Sequence, residues 1–126
     1  MEKKEFLKIL KSICSAQTSA DPDGWTSENP LWGHCANVSL LAQDIYGGTL
    51  VRGSLKDNSK YSYLKSHFWN RLPSGEEYDF TSEQYPDISF QQLPVEERTR
   101  ERVLSHPDTV RRYELLKKYF NEKIKL

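Results

Sequence analysis

The sequence has few of the residues that metal, disulfide or redox chemistry needs: two cysteines, three histidines and one methionine among 126 residues. Two cysteines, Cys14 and Cys35, cannot build a disulfide framework, and a reducing compartment would keep both as thiols. No C-x-x-C or H-x-x-x-H spacing occurs, and the adjacent His34 and Cys35 point apart on a helix, so no metal site is expected. A glycine-rich phosphate loop is also missing, because Gly47-Gly48 closes a helix and does not open one, which argues against nucleotide chemistry and any nucleotide cofactor. No apolar run approaches the ~18 residues that span a bilayer. The N-terminal MEKKEFLKIL lacks the apolar region and cleavage site of a signal peptide. A cytoplasmic protein without a membrane partner is expected. Internal repeats and low-complexity tracts are absent too.

Hydrophobic residues make up 37% of the chain and charged residues 29%, with fifteen aromatics to carry burial. That is enough for one core, and residues 1–126 read as a single domain needing no staples. The formal net charge is zero but unevenly spread: residues 1–13 carry +2, residues 14–95 carry −5 and residues 96–126 carry +3. The acidic middle holds every chemical motif and would repel a polyanion, so nucleic acid is not an expected partner. The basic ends read as ordinary solvated helix faces.

Phe6, Leu7, Ile9, Leu10 and Ile13 recur at helical spacing over residues 3–14. The turn-rich TSADPDGWTSENPL forms a loop, long enough to suggest function. A helix follows from His34 to Tyr46, stopped by Gly47-Gly48. Strands are expected at residues 49–55, 63–72 and 76–81, the last two joined through Pro73-Ser74-Gly75. Residues 82–93 form a loop, Pro94 opens a helix to Leu104, and a final helix after Pro107 carries Val110, Tyr113, Leu115, Leu116, Tyr119 and Phe120. Helix, helix, three strands, two helices is an α+β order with a small antiparallel sheet.

Cys14 reads as core filler at the end of the first helix. Cys35 differs, because it opens a helix whose dipole favours a negative charge and whose free N–H groups could bind an oxyanion. It also shares a stripe with Val38, Ala42 and Ile45, so a core role is the rival reading. The hairpin favours chemistry. If Pro73–Gly75 is a three-residue loop with Gly75 left-handed, Leu72 faces Glu76, Trp69 faces Asp79 and His67 faces Thr81. His67 and Asp79 then lie diagonally on one face, and a two-residue loop would separate them.

These segments carry a resemblance. A cysteine at a helix start, a histidine on a strand and an aspartate on the next strand is the order of transglutaminase-like and papain-like domains. SHFWNRLPSGEEYDFT is similar to the segment in which a His-x-Trp strand turns back into Asp-x-Thr. More specifically, NPLWGHCANVSLLAQDIYGGTLVRG and SHFWNRLPSGEEYDFTSEQYP resemble the YunG-like family of small bacterial proteins, over about Trp25–Pro86 and more weakly into RRYELL. The resemblance implies a papain/transglutaminase-like core with Cys35, His67 and Asp79 as nucleophile, base and orienter. Gln is common before the cysteine in that family, where this chain has His34. Asn29 lies where papain-like enzymes carry an oxyanion-hole glutamine, although its place before Pro30 also suits a turn. Trp32 and Trp69 could wall a cleft or serve as core.

The expected activity is cysteine-dependent acyl hydrolysis or transfer, of peptidase, amidase or transglutaminase-like type, on a peptide or small acyl substrate. The alternative is an inactive binding module that keeps the scaffold.

Overall fold

The computed structural model describes residues 1–89 and 92–125. Helix α1 (Lys3–Ile13) buries Phe6 and Leu10, one turn apart, with lysines on its outer face. The Phe6 ring meets Phe80, Tyr46 and Phe120 edge-on, with centroids 5.0, 5.7 and 5.7 Å away. Helix α2 (Cys35–Tyr46) ends at Gly47, whose φ of 77° suits a residue without a side chain.

Four antiparallel strands, β1 (Thr49–Ser54), β2 (Ser66–Arg71), β3 (Glu77–Tyr78) and β4 (Val95–Arg98), form one sheet in the order β3-β2-β1-β4. Helices α3 (Arg100–Val103) and α4 (Pro107–Ile124) complete an α+β architecture with four α-helices and four strands among the described residues. Pro107 starts α4, which buries Tyr113, Leu116 and Phe120 against α1 and α2. No helix among the described residues is long and apolar enough to cross a membrane.

Three expectations change. Pro94 does not open a helix: its carbonyl accepts the Ser54 N–H at 2.9 Å, and residues 95–98 pair with β1 from Gly53 back to Leu50. The open edge of β1 offers backbone partners that outweigh the helix propensity of Glu and Arg, and charged side chains suit an edge strand. Thr99 caps α3 instead, its hydroxyl accepting from Arg102 N–H at 3.2 Å, so that helix is one turn long. The strand expected at 63–72 starts only at Ser66, after a 3₁₀ turn over residues 62–64. The strand expected at 76–81 shrinks to two residues, because Asp79 leaves the ladder to bond elsewhere. Of the expected loop at 82–93, residues 90 and 91 lie outside the described residues.

The sheet separates two apolar clusters. Phe68 and Leu50 face α1, α2 and α4, and on the same side Asn70 Nδ2 donates to the Ser39 carbonyl at 2.9 Å. On the opposite face Trp69 lies over Gly53 beside Leu93, next to an aromatic cluster of Trp32, Tyr61 and Tyr85 with Leu55. A Cβ on Gly53 would sit 2.7 Å from the Trp69 ring and 2.8 Å from Leu93. Gly53→Ala should therefore lower stability by about 1–3 kcal/mol through overpacking. Urea unfolding checks this, and a loss near zero would mean that the indole moves aside freely.

Candidate active site

The turn into α2 is tightly built. Gly33 has φ +74°, and a Cβ there would lie 2.1 Å from Ser19 Oγ and 2.9 Å from Ala20 N. The Gly33 carbonyl accepts from Ala20 N–H at 2.8 Å, and its own N–H donates to Gln84 Oε1 at 3.0 Å. Only glycine fits this conformation and this approach. His34 follows at the cap position, fully buried, and makes no capping bond. Its Nδ1 is 2.8 Å from the Trp32 carbonyl and its Nε2 is 2.6 Å from Thr18 Oγ1. A carbonyl only accepts, so Nδ1 carries the proton and Thr18 donates to Nε2. Burial lowers the pKa of His34 to about 4 against the help of the Trp32 bond, and the Arg112 charge lowers it further. His34 is thus a neutral structural pin. The His34 side chain makes no capping bond to the first-turn N–H groups of α2.

Cys35 is the first residue of α2, a half-buried free thiol. Cys14 lies in the core, where burial pushes its thiol far up and keeps it protonated.

The hairpin adopts the expected register. Gly75 has φ 91°, Leu72 N–H donates to the Glu76 carbonyl at 2.8 Å, and Arg71 pairs with Glu77. His67 and Asp79 consequently meet, with Nε2 and Oδ2 at 2.5 Å and side-chain exposures of 2% and 4%. The other carboxylate oxygen of Asp79 accepts from Thr81 N–H at 3.1 Å and Thr81 Oγ1 at 3.3 Å, which fixes its direction. His67 Nδ1 is buried without a hydrogen-bond partner. Burial works against charge on this ring, but the Asp79 bond and then Cys35 outweigh it and raise the pKa to about 9. Cys35 therefore lies close enough to act on the imidazole, short of a well-formed hydrogen bond at Nδ1.

The remaining expected residues are placed less centrally. Trp69 flanks His67, with centroids 5.7 Å apart, and donates from Nε1 to Glu77 at 2.8 Å. Trp32 donates to Asp21 at 3.0 Å and packs on Tyr85 and Tyr61 in the second cluster. Asn29 bonds the segment that carries Gln84. Its Nδ2 donates to the Gln84 carbonyl at 3.3 Å, so it braces a turn, as the Pro30 context allowed. Among the described residues no three His, Cys, Asp or Glu side chains are grouped to hold a metal.

Two residues not picked out from sequence stand beside the site. The Tyr85 ring meets His67 edge-on at 5.0 Å, and its hydroxyl is pushed up by burial first and then by Cys35 and Asp79. Gln84 is buried, with Oε1 held by Gly33 N–H and Nε2 without a partner. Since a backbone N–H must meet the amide oxygen, the free atom is the NH₂ donor. Their only signal in sequence was the SEQYP stretch. A small hollow of about 200 Å³ lined by His67, Asp79, Ser82, Tyr85 and Ile88 lies alongside.

Gln84→Ala should cost about 1–3 kcal/mol, because Gly33 N–H would be left unpaired. Urea unfolding measures it, and a loss under about 0.5 kcal/mol would show that water replaces the amide.

The two buried histidines also predict a pH dependence of opposite sign. His34 is depressed, so its contribution is complete above 6.5 and is lost as pH falls toward about 4. His67 is raised, so its contribution is complete below 6.5 and is lost as pH climbs through about 9. Each imposes a slope of up to about 1.4 kcal/mol per pH unit across its window. NMR titration of the ring protons should find one histidine protonating near 4 and another near 9. Both His34 and His67 titrating near 6.5 would refute the two environments.

The model of the family described as "YunG protein" matches residues 2–125. A Bacillus subtilis (strain 168) protein described as "Uncharacterized protein YunG" is 36% identical over 87 residues, covering 68% of this chain and 66% of that protein. The aligned stretch thus spans just under two thirds of the relative's length. No solved structure matches the chain. With nearly all of its length matched, the chain belongs to the YunG family.

Proposed function

We propose that the protein is a cysteine-dependent acyl hydrolase or acyltransferase on a papain/transglutaminase-like scaffold, with Cys35 as nucleophile, His67 as base and Asp79 as orienter. One observation carries the reading. His67 is held at Nε2 by Asp79, keeps Nδ1 unpaired in the interior, and has Cys35 as the next group raising its basicity. An unpaired buried ring nitrogen is costly in a merely structural histidine and useful in a base.

The chemistry follows from these positions. A ring that stays charged through neutral pH is the counter-ion for a Cys35 thiolate. The thiolate attacks a carbonyl carbon, forming the S–C bond while the π electrons move to oxygen. The uncapped N–H groups at the start of α2 can receive that oxyanion, and Gln84 Nε2 is the side-chain candidate to join them. On collapse, His67 gives its Nδ1 proton to the leaving group, the scissile bond breaks, and an acyl thioester remains. Water or an amine then attacks while losing its proton to His67, and Cys35 departs as thiolate. Asp79 holds the imidazole with Nδ1 free for these transfers. The alternative, a silent binding module, draws on the near-complete enclosure of His67 and Asp79.

Iodoacetamide labelling at pH 6 and pH 9 separates the two. The wild type should label at Cys35 and not Cys14 at pH 6, and Cys35→Ala should abolish labelling. Asp79→Asn should slow labelling at pH 6 about 10- to 100-fold and at pH 9 much less. Glu77→Gln should leave the profile nearly unmoved, since Glu77 bonds Trp69. If Glu77→Gln reproduces the Asp79 effect, the cause is general electrostatics and the triad fails. A Cys35 inert at pH 6 favours the binding module.

A further inference from the structure

Away from the thiol, four cations from separate segments line one hollow. Arg52 of β1, Lys65 before β2, Arg98 of β4 and Arg102 of α3 surround a space of about 300 Å³, with His106 and Thr109 at the start of α4 in its wall. Arg52 stands opposite Phe68, and Phe68 packs against the helices. The hollow therefore lies between the sheet and the helical layer, on the face away from His67, and is separate from the candidate active site. Arg98 and Arg102 belong to the basic C-terminal portion read from sequence as solvated helix faces. That reading is corrected for both: Arg98 sits on a strand with 16% of its side chain exposed, and Arg102 lines the same hollow.

No acidic side chain lines this space. Glu96 lies in the adjoining open depression, where it bonds Arg98 at 3.1 Å and stands 3.5 Å from Arg52. Arg98 first, and then Arg52, hold its carboxyl below the usual range. Neither Lys65 nor Arg102 joins an ion pair with a described residue. One carboxylate thus answers four cations. Like charges gathered in a concave wall repel, and an anion between them relieves the repulsion.

The α4 side of the hollow adds neutral donors. His106 caps α4 without a side-chain bond to the free N–H groups of its first turn, the positive end of an 18-residue helix. Thr109 Oγ1 accepts from Arg112 Nη2 at 3.1 Å, so its own hydroxyl hydrogen is left to donate. Arg112 is buried, donates from Nε to Asp108 at 2.8 Å, and keeps Nη1 without a partner. Lys65 holds φ 70° and ψ −47°, a strained conformation that glycine would adopt more easily. Strain of this kind gathers at ligand sites, where a charge must be held in place.

We propose that this hollow binds the phosphate group of a small phosphate-bearing molecule. A carboxylate has two oxygens in one plane, and a single guanidinium satisfies it, as Arg98 does for Glu96. A phosphate presents oxygens around a tetrahedron and carries up to two charges. That shape suits donors arriving from two strands, two helices and a turn. The missing glycine-rich loop excludes one way of cradling phosphate, with backbone N–H groups; here side chains take that place.

Calorimetric titration at constant ionic strength compares inorganic pyrophosphate with citrate, a carboxylate of similar charge, while NMR follows the Nε–Hε signals of Arg98 and Arg102. Pyrophosphate should bind with a Kd of about 0.1 mM and shift both arginine signals, and citrate should bind about tenfold more weakly. Lys65→Gly with Arg102→Ala should weaken pyrophosphate at least about tenfold. Both side chains are exposed and Lys65→Gly relieves the strained backbone, so that variant should melt close to wild type. Lys118→Ala, at an exposed position elsewhere on α4, should leave the affinity unchanged. Citrate binding as tightly as pyrophosphate overturns the phosphate assignment. Pyrophosphate binding that moves neither arginine signal, or that survives the double substitution, overturns the site. So does an equal loss in Lys118→Ala, which would mark general electrostatics, or no binding at about 10 mM pyrophosphate.

Discussion

An ionised carboxylate and an imidazolium removed from water are each destabilised by several kcal/mol unless their partners are well placed. His67 and Asp79 are in that position, enclosed to 2% and 4% exposure, and much of the surrounding structure serves to bring them together. Their 2.5 Å bond depends on the three-residue turn at Pro73–Gly75, because a slip of one residue would send one of them to the opposite face. It also depends on Asp79 leaving the ladder, so that Thr81 can hold its second oxygen. Trp69 and Tyr85 then pack the imidazole from the side, which strengthens the pair by excluding water and makes its loss costly.

What could be read from the sequence was whatever local chemistry dictates. Pro73-Ser74-Gly75 between alternating residues specifies a hairpin, and with it the face shared by His67 and Asp79. Gly47-Gly48 ends a helix whose start falls at Cys35, and the periodic Phe6 and Leu10 fix the buried side of α1. Features that depend on tertiary partners could not be read in this way. Val95–Arg98 carries side chains suited to a helix and becomes a strand because β1 has an open edge. Gln84 and Tyr85 sit in a turn-rich segment with no periodicity, and they matter because Gly33 and His67 lie next to them in space.

The position of the site between two apolar clusters explains a further asymmetry. The α1–α2–α4 side buries aliphatic and phenyl side chains together with Tyr46 and Tyr113, and Asn70 bonds the Ser39 carbonyl there. The opposite side buries tryptophan and tyrosine, whose polar tips need partners: Trp32 finds Asp21 and Tyr61 finds Asp87. Cys35 stands at the start of the helix packed on the first cluster, and His67 faces the second. The thiol therefore influences the imidazole from across the boundary between the two layers.

His34 and His67 show how far the partner, and not burial, sets the state of a group. Both rings are almost completely excluded from solvent, which by itself would strip the charge from each. His34 is offered a carbonyl and a hydroxyl, which satisfy a neutral ring at both nitrogens, and so burial prevails. His67 is offered a carboxylate at one nitrogen and a thiol nearby, so burial is overcome and the ring stays charged. A charged histidine at the helix cap would oppose the positive end of the α2 dipole. The chain instead sets the neutral ring at the positive end of α2, where it adds no charge to the dipole, and the charged ring beside the carboxylate that holds it.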